Sequence, residues 1–403
     1  MKKRYTYKLR PGAEAETLLC RHAGSCRWVW NMCVERFDKH EDTSQTSLMN
    51  NLTSLRHSEE WLGEQPVVPQ QQVIRDFIAA KKAFFDKVRK RPKLKKKRST
   101  LPSMNYTKRG FSLMKDGRLR LAGGIVISVV WSRSLPAEPK SVRVFQDPTG
   151  WWWASFVVDV DEKVRPRDND GEIGIDWGVK TPATTTNPQF NLGYTPRVKD
   201  NAKALAKYQK RMAKHRSSKR WAEYRKTKKK AAKLQRRVKN QRKEQSRKWA
   251  QSVAKNHAVI AAEDFKPKFL SVNKRLAKKS SDNAIGMVKC ELVEAAKTFG
   301  CDLVLIDPKY TTMDCSVCGA RLKTKLELHV RTYHCEHCDM TLDRDVNAAR
   351  NMLIRAGFNP ADADDCKTWG QGCSWAFRVG NPPPLGVGRN QDTLLSSALH
   401  LGI

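Results

Sequence analysis

The sequence predicts a multidomain α/β protein on three observations. Apolar strand-like runs crowd residues 106–160, strands and helices alternate from Glu172 to Gly357, and two Cys-x-x-Cys pairs interrupt the second region. A chain of 403 residues is long enough for two or three domains, each burying its own core. The longest apolar stretch, around Ile125 to Trp131, is interrupted by Ser128 and falls short of the roughly 20 residues a membrane-spanning helix needs. The start, Met1-Lys2-Lys3-Arg4-Tyr5, lacks the apolar core of a signal peptide. Eleven cysteines in such a chain are expected as reduced thiols or metal ligands in a cytoplasmic protein.

The elements follow in order. Arg4 to Leu9 reads as a strand, broken at Pro11-Gly12 and followed by a helix. In that helix Cys26 and Cys33 lie seven apart and share one buried face. Residues 38–104 are helical, with a helix from Gln70 to Lys90 after the breaks at Pro66 and Pro69. Arg118–Leu121, Gly124–Trp131, Ser141–Phe145 and Trp151–Val160 are strands, the last two joined by the turn Asp147-Pro148-Thr149-Gly150. Trp151-Trp152-Trp153 is expected to pack. These strands and the first one are expected to close a small β-barrel over residues 1–37 and 105–167, with 38–104 inserted as a helical lobe.

A third region begins with a strand ending at Asp176, with Pro182–Asn187 and Gln189–Tyr194 as antiparallel partners. Residues 199–250 form one or two long helices, broken near His215 to Ser218. His257–Ala262 and Leu303–Ile306 are buried strands. Ile285, Val288, Leu292 and Phe299 stripe a helix that ends at Gly300, and Asp345–Arg355 is a helix that stops at Gly357. Three antiparallel strands, helix, strand, helix, strand, helix is the order of a ribonuclease-H-like domain, here over 168–310 and 341–365. A cysteine-rich ribbon spans 311–340, and 366–403, with its proline run, is expected to be flexible.

The charge excludes an ordinary metabolic enzyme as the default. Lys and Arg number 77 against 41 Asp and Glu, a net +36. Residues 199–250 hold 22 basic residues and 3 acids, and residues 81–98 hold 11 and 1, so the two blocks supply +29 of that excess. Concentrated positive charge is a footprint for phosphates. Lys228, Lys229, Lys230, Arg236 and Arg237 are the candidate contacts in the larger block. Tyr208, Trp221, Tyr224 and Trp249 interleave its charges, to stack on bases or to pack against neighbouring helices.

Cys315-x-x-Cys318 and Cys335-x-x-Cys338, 16 residues apart, fit a zinc pattern. Two such turns fill all four positions of a tetrahedral ion, which makes the site structural. His334 and His337 are alternative ligands beside the second pair. Asp176 and Glu263 end strands and Asp345 opens a helix. In the expected topology the three meet at one sheet edge, where an oxygen-only set would hold Mg²⁺ or Mn²⁺. Each has a plainer use: Asp176 in a turn, Glu263 on the surface beside Asp264, Asp343 and Asp345 as helix caps.

These residues resemble the TnpB family of transposon-encoded RNA-guided nucleases, related to the compact type V CRISPR effectors. The carrying motifs are Gly174-Ile175-Asp176-Trp177-Gly178-Val179-Lys180, Ala262-Glu263-Asp264-Phe265, and Asp343-Arg344-Asp345-Val346-Asn347-Ala348-Ala349 directly after the four cysteines. Tyr7-Lys8-Leu9-Arg10-Pro11 and Cys26-Arg27-Trp28-Val29-Trp30-Asn31 add to them, so the resemblance covers about residues 1–357. It implies a RuvC nuclease domain with an inserted zinc ribbon, and a wedge β-barrel carrying a helical recognition lobe. Asp176, Glu263 and Asp345 would be the catalytic, magnesium-binding triad, and Cys315, Cys318, Cys335 and Cys338 the ligands of one zinc. Gln71 and Gln72, and a turn at Asn105-Tyr106, would read a short DNA motif. The implied partners are a guide RNA and a double-stranded DNA target, with both strands cut at one two-metal site and the protein nucleoid-associated when bound. The alternatives are a type V CRISPR effector with the same chemistry, or an RNA-guided DNA-binding regulator with weak or no cleavage. A strand-joining transposase would need a nucleophile or acidic triad that the sequence does not display.

Overall fold

The computed structural model describes residues 2–97, 99–161, 164–264, 283–327 and 329–358, the side chains of 197–200 excepted. The expectation for 366–403 and the motif residue Phe265 lie outside them. The chain divides into two compact units, Met1–Glu162 with Lys210–Lys233, and Lys163–Gln209 with Leu234–Ile403.

The first unit is built on a seven-stranded antiparallel sheet. Its strands are β1 (Lys2–Arg10), β2 (Ser103–Thr107), β3 (Phe111–Leu113), β4 (Leu119–Leu121), β5 (Ile125–Val130), β6 (Pro139–Gln146) and β7 (Trp152–Asp159). They run in the order β2-β6-β7-β1-β5-β4-β3. Alternation fixes the buried face: Tyr7 and Leu9 of β1, Val142 and Val144 of β6, and Trp152, Ala154, Phe156 and Val158 of β7 all turn inward. The sheet approaches a barrel, but among the described residues no ladder joins β2 to β3, so the expected closure is absent.

Helices α1 (Ala13–Asp38), α2 (Gln45–Ser58), α3 (Glu60–Gly63) and α4 (Val67–Phe85) complete this unit. Cys26 and Cys33 both face the core, and burial pushes each thiol up to about 12. Helix α4 starts and ends earlier than the sequence led us to expect. Pro69 is harmless in a first turn, where no intrahelical N–H is needed. At the other end Lys87 takes a left-handed φ of 55°. Asn105 and Tyr106 lie in β2 rather than in a turn, with Met104 and Tyr106 alternating inward.

The second unit holds a four-stranded sheet ordered β11-β10-β8-β9: β8 (Gly171–Asp176), β9 (Thr184–Thr185), β10 (His257–Glu263) and β11 (Asp302–Ile306). β8, β10 and β11 are parallel, and β9 is antiparallel to β8. The third expected antiparallel strand is missing. Pro188–Phe190 forms a 3₁₀ turn, and only Leu192 bridges to Ala183. β11 is a half-buried edge strand, not a buried one.

The basic block forms α5 (Arg197–Ser217) and α6 (Trp221–Asn256), broken where expected, with Lys219 at φ 55°. Helix α7 (Ile285–Phe299) buries the predicted stripe and ends at a left-handed Gly300. Helix α8 (Arg344–Arg355) lies directly on β8. A Cβ on Gly174 would sit 2.0 Å from the Ala349 carbonyl oxygen, so only glycine allows this approach.

Candidate metal centres

Strand order gathers the three acids. Ala262 of β10 pairs with Ile175 of β8, so Glu263 and Asp176 leave the sheet side by side. Helix α8 then delivers Asp345 in its first turn. The capping role falls to Asp343, whose Oδ1 accepts from the N–H groups of Asp345 (2.8 Å) and Val346 (3.3 Å). Asp345 is thereby spared the capping role, and its Oδ2 lies 3.9 Å from where a Cβ on Gly178 would stand.

The edge strains against its own charge. Burial pushes the Asp176 carboxyl well above the usual range, and the neighbouring Glu263 and Asp345 push it further. Burial likewise brings Glu263 up to about 7, although the Trp177 backbone N–H and Lys289 favour its ionised form. Asp345 is raised by burial against the opposing Arg331. A partly buried, oxygen-only set that disfavours its own ionisation fits a hard divalent cation, which would relieve the repulsion.

Cations border the set. Arg331 Nη1 lies 3.4 and 3.3 Å from the two oxygens of Asp345. Lys289 of α7 is largely buried and holds Asp264 at 2.7 Å, which ties the acid next to Glu263 into an ion pair. Trp177 Nε1 donates to the Glu263 carbonyl at 3.1 Å, and Asn283 Nδ2 donates to the carbonyls of Gly178 (3.2 Å) and Val179 (2.9 Å). These three bonds fix the chain leaving Asp176.

The four cysteines place their sulfurs within 4.8 Å of one another, the only such group of three or more ligating side chains among the described residues. Cys315 and Cys338 are 3.7 Å apart, Cys318 and Cys335 3.5 Å. A tetrahedron with Zn–S near 2.3 Å has an edge of about 3.8 Å, so these distances suit zinc. The two knuckles repeat one construction. Cys315 N–H donates to Ala320 O and Cys335 N–H to Met340 O, with left-handed Gly319 and Asp339 at matching positions. Burial opposes ionisation of Cys335, but N–H groups of Cys338 and His337 and the thiols of Cys318 and Cys338 bring it down to about 7. His334 Nδ1 instead pairs with Thr341 Oγ1 at 3.1 Å.

Helix α8 joins the two centres. Its buried Asn347 donates to Asp314 O (2.8 Å) and accepts from Ser316 N–H (3.0 Å); Asn351 donates to Thr311 O (2.9 Å) and Asp314 O (2.7 Å). Arg355 pairs with Asp314 at 2.8 Å. The strands β12 (Thr332–His334) and β13 (Thr341–Asp343) form the ribbon's hairpin, whose Thr332–Asp343 pairing brings Arg331 to the helix start. Sequence reasoning gave no role to Arg331, Lys289, Asn351 or the motif residue Asn347. The hairpin register around Cys335–Met340 was the signal for Arg331, and the four-residue spacing from Asn347 to Asn351 was the signal for one clamping face.

The proposed nucleic-acid contacts divide. Gln72 Nε2 and Asn105 Nδ2 both donate to Asp76, at 3.1 and 3.0 Å, and Gln71 is half-buried beside them in sequence. Tyr106 is fully buried, with its hydroxyl 3.1 Å from His22 Nδ1. It is a core residue and has no surface to offer a base. Lys228, Lys229, Lys230 and Arg237 are exposed on α6, and Arg236 is half-buried. Trp249 packs in the core and donates to Phe190 O at 2.6 Å, whereas Trp221 is exposed against the edge of Tyr224.

Three family models match the chain: a "helix-turn-helix domain" over residues 1–40, a "probable transposase" over 155–270, and a "Cas12f1-like, TNB domain" over 287–352. In the described structure residues 1–40 hold β1 and the single helix α1. A Streptomyces pristinaespiralis protein named "Putative RNA-guided DNA endonuclease" is 30% identical, over 88% of this chain and 89% of its own length. An Escherichia coli K12 protein named "Putative RNA-guided DNA endonuclease InsQ" is 26% identical, over 87% and 91%. The fold resembles that of a Cas12f1 chain solved with guide RNA and target DNA, with a TM-score of 0.53 and 14% identity, covering 87% of this chain and 98% of that one. By motif, by relatives matched along nearly their whole length and by fold, the chain belongs to the TnpB family, which is related to Cas12f.

Proposed function

We propose that the protein is an RNA-guided DNA endonuclease that hydrolyses both strands of a matched target at the Asp176–Glu263–Asp345 edge. The observation that carries this reading is the convergence of a buried Asp176 with the half-buried Glu263 and Asp345, each acid disfavouring its own charge, beside Arg331. The names of the relatives support it, and so does the net charge of +36.

Asp176, Glu263 and Asp345 would hold magnesium, which supplies Lewis-acid stabilisation of phosphodiester cleavage and an activated water. The chain's own residues do the rest. Asp343 caps α8 and so fixes the direction of Asp345. Trp177 holds the end of β10 against the end of β8. Lys289 occupies Asp264 and keeps that neighbouring acid out of the set. Arg331 stands where the charge of a scissile phosphate would be neutralised. The exposed Lys228, Lys229, Lys230 and Arg237, with Arg236, read backbone rather than sequence. Gln71, Gln72 and Asn105 would read the target-adjacent motif in the wedge and recognition lobes, with Asp76 orienting two of the three amides.

The test is strand-resolved cleavage of a matched, motif-bearing duplex by the protein with its copurified RNA. Wild type should cut both strands, whereas Asp176→Ala should bind target and cut neither. Nicking of either strand by the variant would reveal a second active site and overturn the single-site reading. A wild type that binds the matched target without cutting it would be a DNA-binding regulator.

A further inference from the structure

One helical glycine in the first unit is unexplained by packing. Gly24 sits in the middle of α1, where glycine weakens a helix relative to alanine. Close packing would excuse that cost, but none exists: a Cβ there would meet only the tip of Arg27, at 4.0 Å. The space above Gly24 opens into a cleft of about 610 Å³ between α1 and the segment 61–65. Trp28 and Trp61 line it edge to face, with centroids 5.6 Å apart at 87°. Trp61 is 43% exposed although it is among the largest apolar side chains, and its indole N–H is held by Glu59 at 3.1 Å. Arg21 and Arg27 border the same cleft.

We propose that this cleft receives one unpaired nucleotide of the bound nucleic acid. The inference rests on the reading above that the protein binds nucleic acid, and it adds a site to that reading. A bare glycine floor and an indole wall accept the face of a base without discriminating among the four, since every base has a π-face. Arg21 and Arg27 pair with the phosphate attached to it. Glu64 and Gln65 at the rim can bond the base's polar edge. The nucleotide can come from the guide RNA or from the displaced DNA strand, because the recognising chemistry is shared.

The experiment uses the full chain in buffer without added divalent metal, with single-stranded 12-nucleotide RNA and DNA as probes. Trp61→Ala should weaken binding of one or both by about 5- to 100-fold, the range for one lost base stack. Gly24→Leu should raise or preserve the melting temperature, because it replaces a helix-weakening residue, and yet should lower affinity by filling the floor. A merely structural glycine would instead show a lower melting temperature and unchanged affinity. Ultraviolet crosslinking with 5-bromouracil in either the RNA or the DNA assigns the source, through the strand that labels the peptide carrying Trp28 or Trp61. If wild type binds and both variants bind equally well within twofold, the cleft proposal is overturned while the nuclease reading stands. If wild type binds neither probe, the nuclease reading falls with it.

Discussion

The cysteine cluster and the carboxylate edge share one unit and are joined by α8, but the chain prepares them in opposite ways. Four sulfurs already stand within 4.8 Å of one another, and backbone N–H groups from symmetric knuckles favour the thiolate of Cys335 while burial holds the Cys315 and Cys338 thiols up. The three acids are spread more widely, are disfavoured as anions by burial, and have Arg331 lying against one of them. A closed shell can be assembled in advance because nothing has to enter it. An open metal site, as proposed for the three acids, would have to leave room for substrate and stay incomplete by itself, so repulsion among the carboxylates would be the cost of access.

The contrast is broken most directly by removing one ligand from each centre. Asp176→Ala should reduce cleavage of both strands by about a thousandfold or more, since a metal-ion contribution of several kcal/mol is lost. Guide and target affinity should hold within a few-fold. Cys335→Ser should release zinc and reduce cleavage as well, by about 10- to 100-fold, because the ribbon that carries Arg331 and supports α8 loosens. Metal analysis together with cleavage rates checks both. Full activity in a zinc-free chain would separate the centres.

Asn347→Ala and Asn351→Ala sharpen the comparison, since they cut the tie between the centres while sparing every ligand. Each should keep one zinc per chain and lose about tenfold in cleavage, from misplacement of Asp345. Zinc loss in these variants would mean that the helix holds the ribbon and not the reverse.

The carboxylate edge also makes a pH prediction. Glu263 is raised to about 7 from an ordinary value of 4.5. The folded state therefore binds the extra proton, and stability falls as pH rises from about 4.5 through 7. Magnesium should cancel that loss, so its effect on melting temperature should be larger at pH 8 than at pH 5.5, and smaller in Glu263→Gln. An equal gain at both pH values would refute a metal role for Glu263. The smallest effect is expected on α6. Reversing four among Lys228, Lys229, Lys230, Arg236 and Arg237 should flatten the log–log salt dependence of binding by about one unit per lost phosphate contact, irrespective of sequence.

The cysteine cluster and the positions of the acids at the strand ends were legible because their residue patterns are local. The two cysteine pairs announce their knuckles by spacing, and Asp176 and Glu263 announce themselves as acids at the ends of apolar strands. The first sheet was less legible. Ser103–Thr107 and Phe111–Leu113 are too short for alternation to stand out, and Asn105 between two inward residues reads as a turn. Tyr106 was placed at the DNA by its position in the family resemblance, and the structure instead buries it with its hydroxyl against His22. The antiparallel partner at Gln189–Tyr194 failed because Pro188 has no N–H to give a ladder and Asn187 caps a 3₁₀ turn instead. Arg331 went unassigned because its place beside Asp345 follows only after Thr332 is paired with Asp343 across the hairpin.

The glycine under Ala349 has a consequence for the birth of the protein. β8 and α8 touch through that glycine, yet Asp176 and Asp345 are separated by 169 residues of chain. At roughly 5–20 residues per second on the ribosome, the first acid waits about 10–30 s for the third. During that interval β8 has emerged, but the helix that covers it has not been made. A nascent chain therefore lacks the complete carboxylate edge until almost all of its basic residues have been synthesised, so under the proposed function any cleavage would begin only after the cationic surface exists.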